Sequence, residues 1–129
     1  MYKQVMKINI NTNSNIPIFN QISNMLEDYI LDGTYQADEA IISTTQLSKL
    51  LKINPATAIK GVSILTEQGI LYKRRGMGMY VSKEAQDIIM EKRKASLKKD
   101  TLKRLIQECK KLNITKQAII TMIEEDWDD

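Results

Sequence analysis

Residues 53–81, INPATAIKGVSILTEQGILYKRRGMGMYV, leave this chain few folds to choose from. Asn54 can cap a helix with its side-chain oxygen, and Pro55 suits the first helical position. Ala58, Val62 and Leu65 then fall on one face, spaced four and three apart, with Ile59 beside them. Gly69 stands where a helix ends in a left-handed residue. Ile70, Leu71 and Tyr72 read as an apolar strand, Lys73-Arg74-Arg75 as a run of positive charge, Gly76-Met77-Gly78 as a turn, and Met79, Tyr80 and Val81 as the returning strand. An amphipathic helix followed by a basic hairpin is the layout with which a winged helix-turn-helix holds DNA.

The charge distribution agrees with that layout where the total does not. The chain of 129 residues has a formal net charge of only +3. Residues 1–48 carry two basic and five acidic side chains, and residues 82–129 carry eleven and ten. Residues 49–81 carry six basic side chains against one acidic, Glu67, a local +5. Screening confines a charge to roughly 8 Å in physiological salt, so the local value is the one a phosphate meets.

The residues upstream supply the rest of the unit. The alternation Val5-Met6-Lys7-Ile8-Asn9-Ile10 fits a short strand or an extended arm, followed by a polar turn, NTNSN. A first helix is expected from Pro17, with Ile18, Ile22, Met25, Leu26, Tyr29 and Ile30 at helical spacing and Asp32-Gly33 as its stop. Residues 34–42 form a link whose Ile41 and Ile42 reach the core. A second helix starts at Ser43 or Thr44, where Ser43 and Gln46 have the spacing of a capping box, and Leu47, Leu50 and Leu51 are its expected buried stripe. Lys52-Ile53-Asn54-Pro55 then turns tightly into the next helix, completing a helix-turn-helix.

These pieces in order, PIFNQI…ILDG, a Ser–Leu helix, INPATAIKGVSILTEQGIL and YKRRGMGMYV, resemble the winged-helix DNA-binding domain of the GntR family of bacterial transcription regulators. The NPAT start of the recognition helix and the short C-terminal region resemble its YtrA-like subfamily. The resemblance covers residues 17–81 strongly and the tail more loosely. It implies double-stranded DNA as partner, with a palindromic operator, and a repressor of a small operon that often includes a transporter. Ser43, Thr44 and Thr45 then fall at the start of the second helix, Asn54, Pro55, Ala56 and Thr57 at the start of the recognition helix, Lys60 further along it, and Lys73, Arg74, Arg75, Gly76 and Gly78 in the wing. Family members usually carry arginine where this chain has Thr45; a hydroxyl can bond a phosphate but cannot make arginine's bidentate guanine contact. Lys60 likewise replaces an arginine of many relatives and serves as a point charge. Glycine in the wing tip keeps side chains out of the turn and lets the backbone approach the minor groove.

After Ser82 the pattern changes to a long helix expected to run to about Lys111. Ile88, Ala95, Leu102 and Cys109 recur every seven residues, with Leu105 and Leu112 at the complementary position, although Glu91 and Lys98 break the earlier half. Thr115 caps a last helix with Ala118, Ile119, Met122 and Ile123 on its apolar side, ending in Glu124-Glu125-Asp126-Trp127-Asp128-Asp129. Roughly ten apolar side chains at ~1.5–3 kcal/mol each must be covered. The expected cover is the same hairpin of a second subunit, a homodimer built on Ile88, Leu102, Leu105, Ile106, Cys109, Leu112, Ile119, Met122, Ile123 and Trp127. The other cover is the winged helix of the same chain. The basic cluster from Lys92 to Arg104 reads as a solvated or intersubunit ion-pairing face.

The expected fold class is therefore mainly α with a small β wing: an N-terminal winged helix-turn-helix with its arm (1–81) and a C-terminal helical hairpin for dimerisation (82–129). Without histidine, and with one cysteine on the apolar seam, no enzyme, no metal site and no cofactor are expected. No apolar run approaches the ~18 residues that span a membrane, and no signal peptide opens the chain, so a cytoplasmic protein is expected. The alternative function is a non-catalytic winged-helix interaction protein that assembles with another protein through its C-terminal helices. A hairpin of about 45 residues is expected to be too small to enclose a pocket of the usual ~300 Å³ or more within one subunit, which sends any small-molecule effector, of unknown identity, to a site between subunits or between hairpin and winged helix.

Overall fold

The computed structural model describes residues 10–129. The expected N-terminal strand or arm lies outside them except for Ile10, which packs against the core. The chain forms two compact units, Met1–Met90 and Glu91–Asp129.

In the first unit, helix α1 (Ile18–Leu31) follows Pro17 and stops at Asp32, after which Gly33 takes φ +87°. Helix α2 (Thr44–Leu51) is capped by Ser43, whose Oγ accepts the Gln46 N–H at 3.1 Å. Lys52, in the left-handed region at φ +54°, turns the chain, and Asn54 caps helix α3 (Pro55–Glu67) by accepting the Ala56 N–H at 2.9 Å. Strands β1 (Leu71–Arg74) and β2 (Gly78–Val81) pair antiparallel, Tyr72 opposite Tyr80 and Lys73 opposite Met79. The free edge of β2 is covered by the link before α2: Asp38 N–H donates to the Val81 carbonyl at 2.7 Å, Val81 N–H to Glu39, and Ile41 N–H to Met79. That cover leaves less exposed strand edge, an aggregation hazard.

Ile22, Leu26, Ile30, Leu47, Ala58, Val62, Leu65, Ile70, Leu71 and Val81 meet in one core. It also takes Tyr35 from the link and Ala85 and Ile89 from helix α4 (Ala85–Ser96). Helix α3 comes close to α1 at Gly61, where a Cβ would lie 2.9 Å from the backbone oxygen of Phe19 and 2.9 Å from Cγ2 of Ile22. Ser23 Oγ donates to the Gly61 carbonyl at 2.7 Å across the same contact.

Two expected core positions are corrected. Leu50 is 53% exposed, because the short α2 turns Leu47, Ser48 and part of Leu51 inward and leaves Leu50 on its outer side. Ile59 is 52% exposed, because Ala58, Gly61, Val62 and Leu65 set the buried face of α3 and Ile59 falls off it.

The second unit contains helix α5 (Lys103–Lys111), a turn through Asn113 (φ +55°) and helix α6 (Lys116–Asp126), capped by Thr115 Oγ1, which accepts the Ala118 N–H at 3.1 Å. Between α4 and α5, Leu97–Leu102 form π-helical turns. A π turn takes one extra residue and so rotates the next stretch of helix by about 100° from ordinary α register. The seven-residue repeat therefore does not make one continuous seam. Ile88 packs on the core of the first unit, Ala95 is exposed, and Cys109, 7% exposed, is buried within the second. Leu102, Leu105, Ile106, Leu112, Met122, Ile123 and Trp127 remain exposed, and Ile119 is half-buried.

Residues of α5 and α6 alone, with Leu102 before them and Ile114 between them, frame an apolar cleft of about 400 Å³.

Candidate nucleic-acid interface

Helices α2 and α3 both begin at the surface, and neither has an acidic residue in its first turn. Their free N–H groups and partial positive ends are therefore open to an anion such as phosphate. Ser43, Thr45, Asn54, Pro55 and Ala56 are exposed there, and Thr44 and Thr57 are half-buried. Ser43 and Asn54 spend one side-chain lone pair each on capping, which leaves the Ser43 hydroxyl proton and the Asn54 amide N–H₂ as donors toward a ligand.

A groove of about 510 Å³ runs between these helices and the wing. Ser43 and Thr44 contribute to it from α2, Ile59, Ser63 and Glu67 from the outer face of α3, and Lys73, Gly78 and Met79 from the hairpin. Ile59, Ser63, Glu67 and Met79 were not singled out from the sequence as part of the site. Helical spacing from Ala56 through Ile59 and Ser63 to Glu67 would have found the first three. Lys60 stands on the same exposed face of α3, but its ammonium rests 4.0 Å from the centroid of the Phe19 ring, a cation–π contact that draws it toward α1.

The three basic residues of the wing do not act as one cluster. Strand alternation sends neighbouring side chains to opposite faces. Lys73 lines the groove, whereas Arg74 stacks on the other face, its guanidinium carbon 4.4 Å from the Tyr80 ring centroid and 5.9 Å from that of Tyr72. The two rings lie 6.0 Å apart. Arg75 is fully at the tip, in the turn closed by the Met77 N–H donating to the Arg74 carbonyl at 2.9 Å. Gly76 and Gly78, at φ +75° and +95°, give the turn a backbone that a side chain would strain.

The tyrosine face also ties the wing to the link. The Tyr72 hydroxyl donates to Asp38 Oδ1 at 2.8 Å. That bond, and then burial, raise the phenol above its ordinary value of 10.0, while the charge of Arg74 acts the other way. A raised value in the fold means the neutral phenol is the stabilised form. Its contribution is complete below the ordinary value and is lost as pH rises through the folded one. Asp38→Ala should therefore move part of the tyrosine ultraviolet titration to lower pH. A tyrosine titration unchanged by Asp38→Ala would mean that the Tyr72–Asp38 hydrogen bond does not hold the phenol.

Among the described residues no cluster of histidine, cysteine, aspartate and glutamate could hold a metal ion, and no helix is long and apolar enough to cross a membrane.

No protein-family model matches the chain. It is 28% identical over 118 residues to the HTH-type transcriptional repressor YtrA of Bacillus subtilis (strain 168), covering 92% of this chain and 90% of that protein. It is similar to the solved structure of a GntR family transcriptional regulator from Listeria monocytogenes, at 30% identity and TM-score 0.69, over 88% of this chain and 97% of that one. The fold is also that of AraR(DBD) in complex with operator ORX1, at 22% identity and TM-score 0.51, over 64% of this chain and 99% of that one.

Proposed function

The chain belongs to the GntR family of transcription regulators, and from that membership we propose that it binds double-stranded DNA at a specific, palindromic operator as a homodimer and represses transcription there. The observation that carries the reading is the groove. The capped N-terminus of α2, the exposed face of α3 from Ile59 to Glu67 and Lys73 border one surface, with the α3 N-terminus and Arg75 at the wing tip exposed outside its lining. An α-helix fits the major groove of B-DNA, and a wing of this kind follows the backbone beside it.

The two parts contribute differently. Lys73 and Arg75 supply phosphate attraction, which is independent of sequence. At the start of α3, Asn54, Ala56 and Thr57 offer one amide and two methyl-bearing side chains to base edges, the methyls suited to thymine. With Thr45 in place of arginine, specificity leans on DNA shape and on half-site spacing. That spacing is assigned to residues 91–129, whose exposed leucines, isoleucines and Trp127 favour a second copy as their cover. Regulation of a small operon, with an effector of unknown identity, completes the proposal; the repressor named among the relatives supports its direction.

Footprinting with DNA from upstream of the protein's own gene tests it. A short protected segment with two-fold symmetry is expected. Equal affinity for every fragment at moderate salt would reject sequence-specific recognition.

A further inference from the structure

The second unit holds two complementary surfaces that it does not itself bring together. One is the cleft between α5 and α6, walled by apolar side chains such as Ile106, Cys109, Ile119 and Ile123, with Lys110 and Lys116 as the only charged residues that line it. The other is Trp127, 78% exposed, just beyond the end of α6. It is flanked by Glu124, Glu125, Asp126, Asp128 and Asp129. Among the described residues none of these five carboxylates has an ion-pair partner within 4.0 Å. An apolar cleft with a cationic rim thus sits in the same unit as a large apolar ring with an anionic collar. Ile123, one turn before Trp127, already forms a wall of the chain's own cleft, and the indole remains in solvent.

We propose that in the homodimer Trp127 of each subunit seats in the α5–α6 cleft of the other, with its acidic neighbours against Lys110 and Lys116. The proposal rests on the dimer reading given above. A two-fold axis makes the exchange reciprocal, so each dimer gains two such contacts. An indole buries on the order of 150–250 Å² when enclosed, and a cleft of about 400 Å³ has room for it. Charge complementarity selects this occupant over a neutral one: an uncharged apolar ligand would leave both lysines at the rim and all five carboxylates without partners. Aromatic anchors in desolvated pockets commonly dominate such interfaces.

The chain has a single tryptophan, which makes the test direct. Emission wavelength and acrylamide quenching of the full-length protein are measured against concentration, beside sedimentation equilibrium. Emission should move to shorter wavelength, and quenching should fall, over the same concentration range in which dimer forms. Trp127→Ala should raise the dimer dissociation constant by roughly tenfold or more with an unchanged circular dichroism spectrum, since the side chain is exposed in the single chain. Lys110→Glu with Lys116→Glu should weaken the dimer in the same direction. A dimer whose tryptophan stays red-emitting and fully quenchable overturns the proposal while leaving the dimer intact, and gives the cleft to another occupant. A blue-shifted tryptophan already present in monomer overturns it in favour of the chain's own cleft. Monomer at every concentration overturns the dimer reading and this contact with it.

Discussion

Gly61→Leu should abolish cooperative folding of the first unit, and even Gly61→Ala should destabilise it by roughly 1–2 kcal/mol. Helix propensity alone predicts the reverse, since alanine is favoured over glycine inside a helix by about 0.8–1.0 kcal/mol. Geometry decides against propensity here. The added Cβ would stand 2.9 Å from the carbonyl oxygen of Phe19, and that oxygen is part of the α1 backbone. A side-chain atom could rotate away; a helix carbonyl moves only if the whole of α1 moves. The pairing of α1 with α3 is the most extensive contact between elements of the fold. Shifting it would also pull Ser23 Oγ from the Gly61 carbonyl at 2.7 Å, leaving it only the longer bond to the Phe19 carbonyl at 3.2 Å. Leucine adds three more carbons in the same direction, and overpacking of that size approaches the total stability of a small unit. Urea denaturation followed by circular dichroism measures both variants. If Gly61→Ala proves more stable than the parent, α1 and α3 are not packed as closely as described.

Lys73→Ala combined with Arg75→Ala should reduce operator affinity by roughly 10–100-fold at physiological salt and lower the slope of log affinity against log salt by about 2. Each residue neutralises one phosphate in the proposed complex, and each neutralised phosphate contributes close to 0.9 to that slope. Arg74→Ala should leave the slope nearly unchanged, because its guanidinium is stacked on Tyr80 and faces away from the groove. Its effect should appear instead as a small loss of stability, about 0.5–1 kcal/mol for an exposed cation–π contact. Binding isotherms at four or five salt concentrations separate the three residues. A slope that drops with Arg74→Ala and survives the double substitution would falsify this division of the wing.

Much of the architecture was legible in the residues alone. The caps by Ser43, Asn54 and Thr115, the stops at Gly33 and Gly69 and the turn at Gly76-Met77-Gly78 all lie where the residues place them. These signals act over one to four residues, so the chain carries them whole. The site was legible as a region rather than as an arrangement. KRR reads as one patch of charge, yet alternation splits it, and only the pairing of Tyr72 with Tyr80 shows which member is held by aromatic rings. The tail reads as one seven-residue seam. Six residues of π helix interrupt it, and nothing in LKKDTL announces that widening.

The sequence by itself determined the family of folds, the order of the elements and the concentration of positive charge in residues 49–81. Capping atoms, glycine dihedrals and charge counts are properties of neighbours along the chain. Only the tertiary structure decided which faces those elements turn to each other. It exposes Leu50 and Ile59, brings α3 onto α1 at Gly61 and sends Arg74 behind the wing. Burial depends on atoms that arrive from distant positions, and two leucines adjacent in sequence carry no difference in composition to say which of them will be covered.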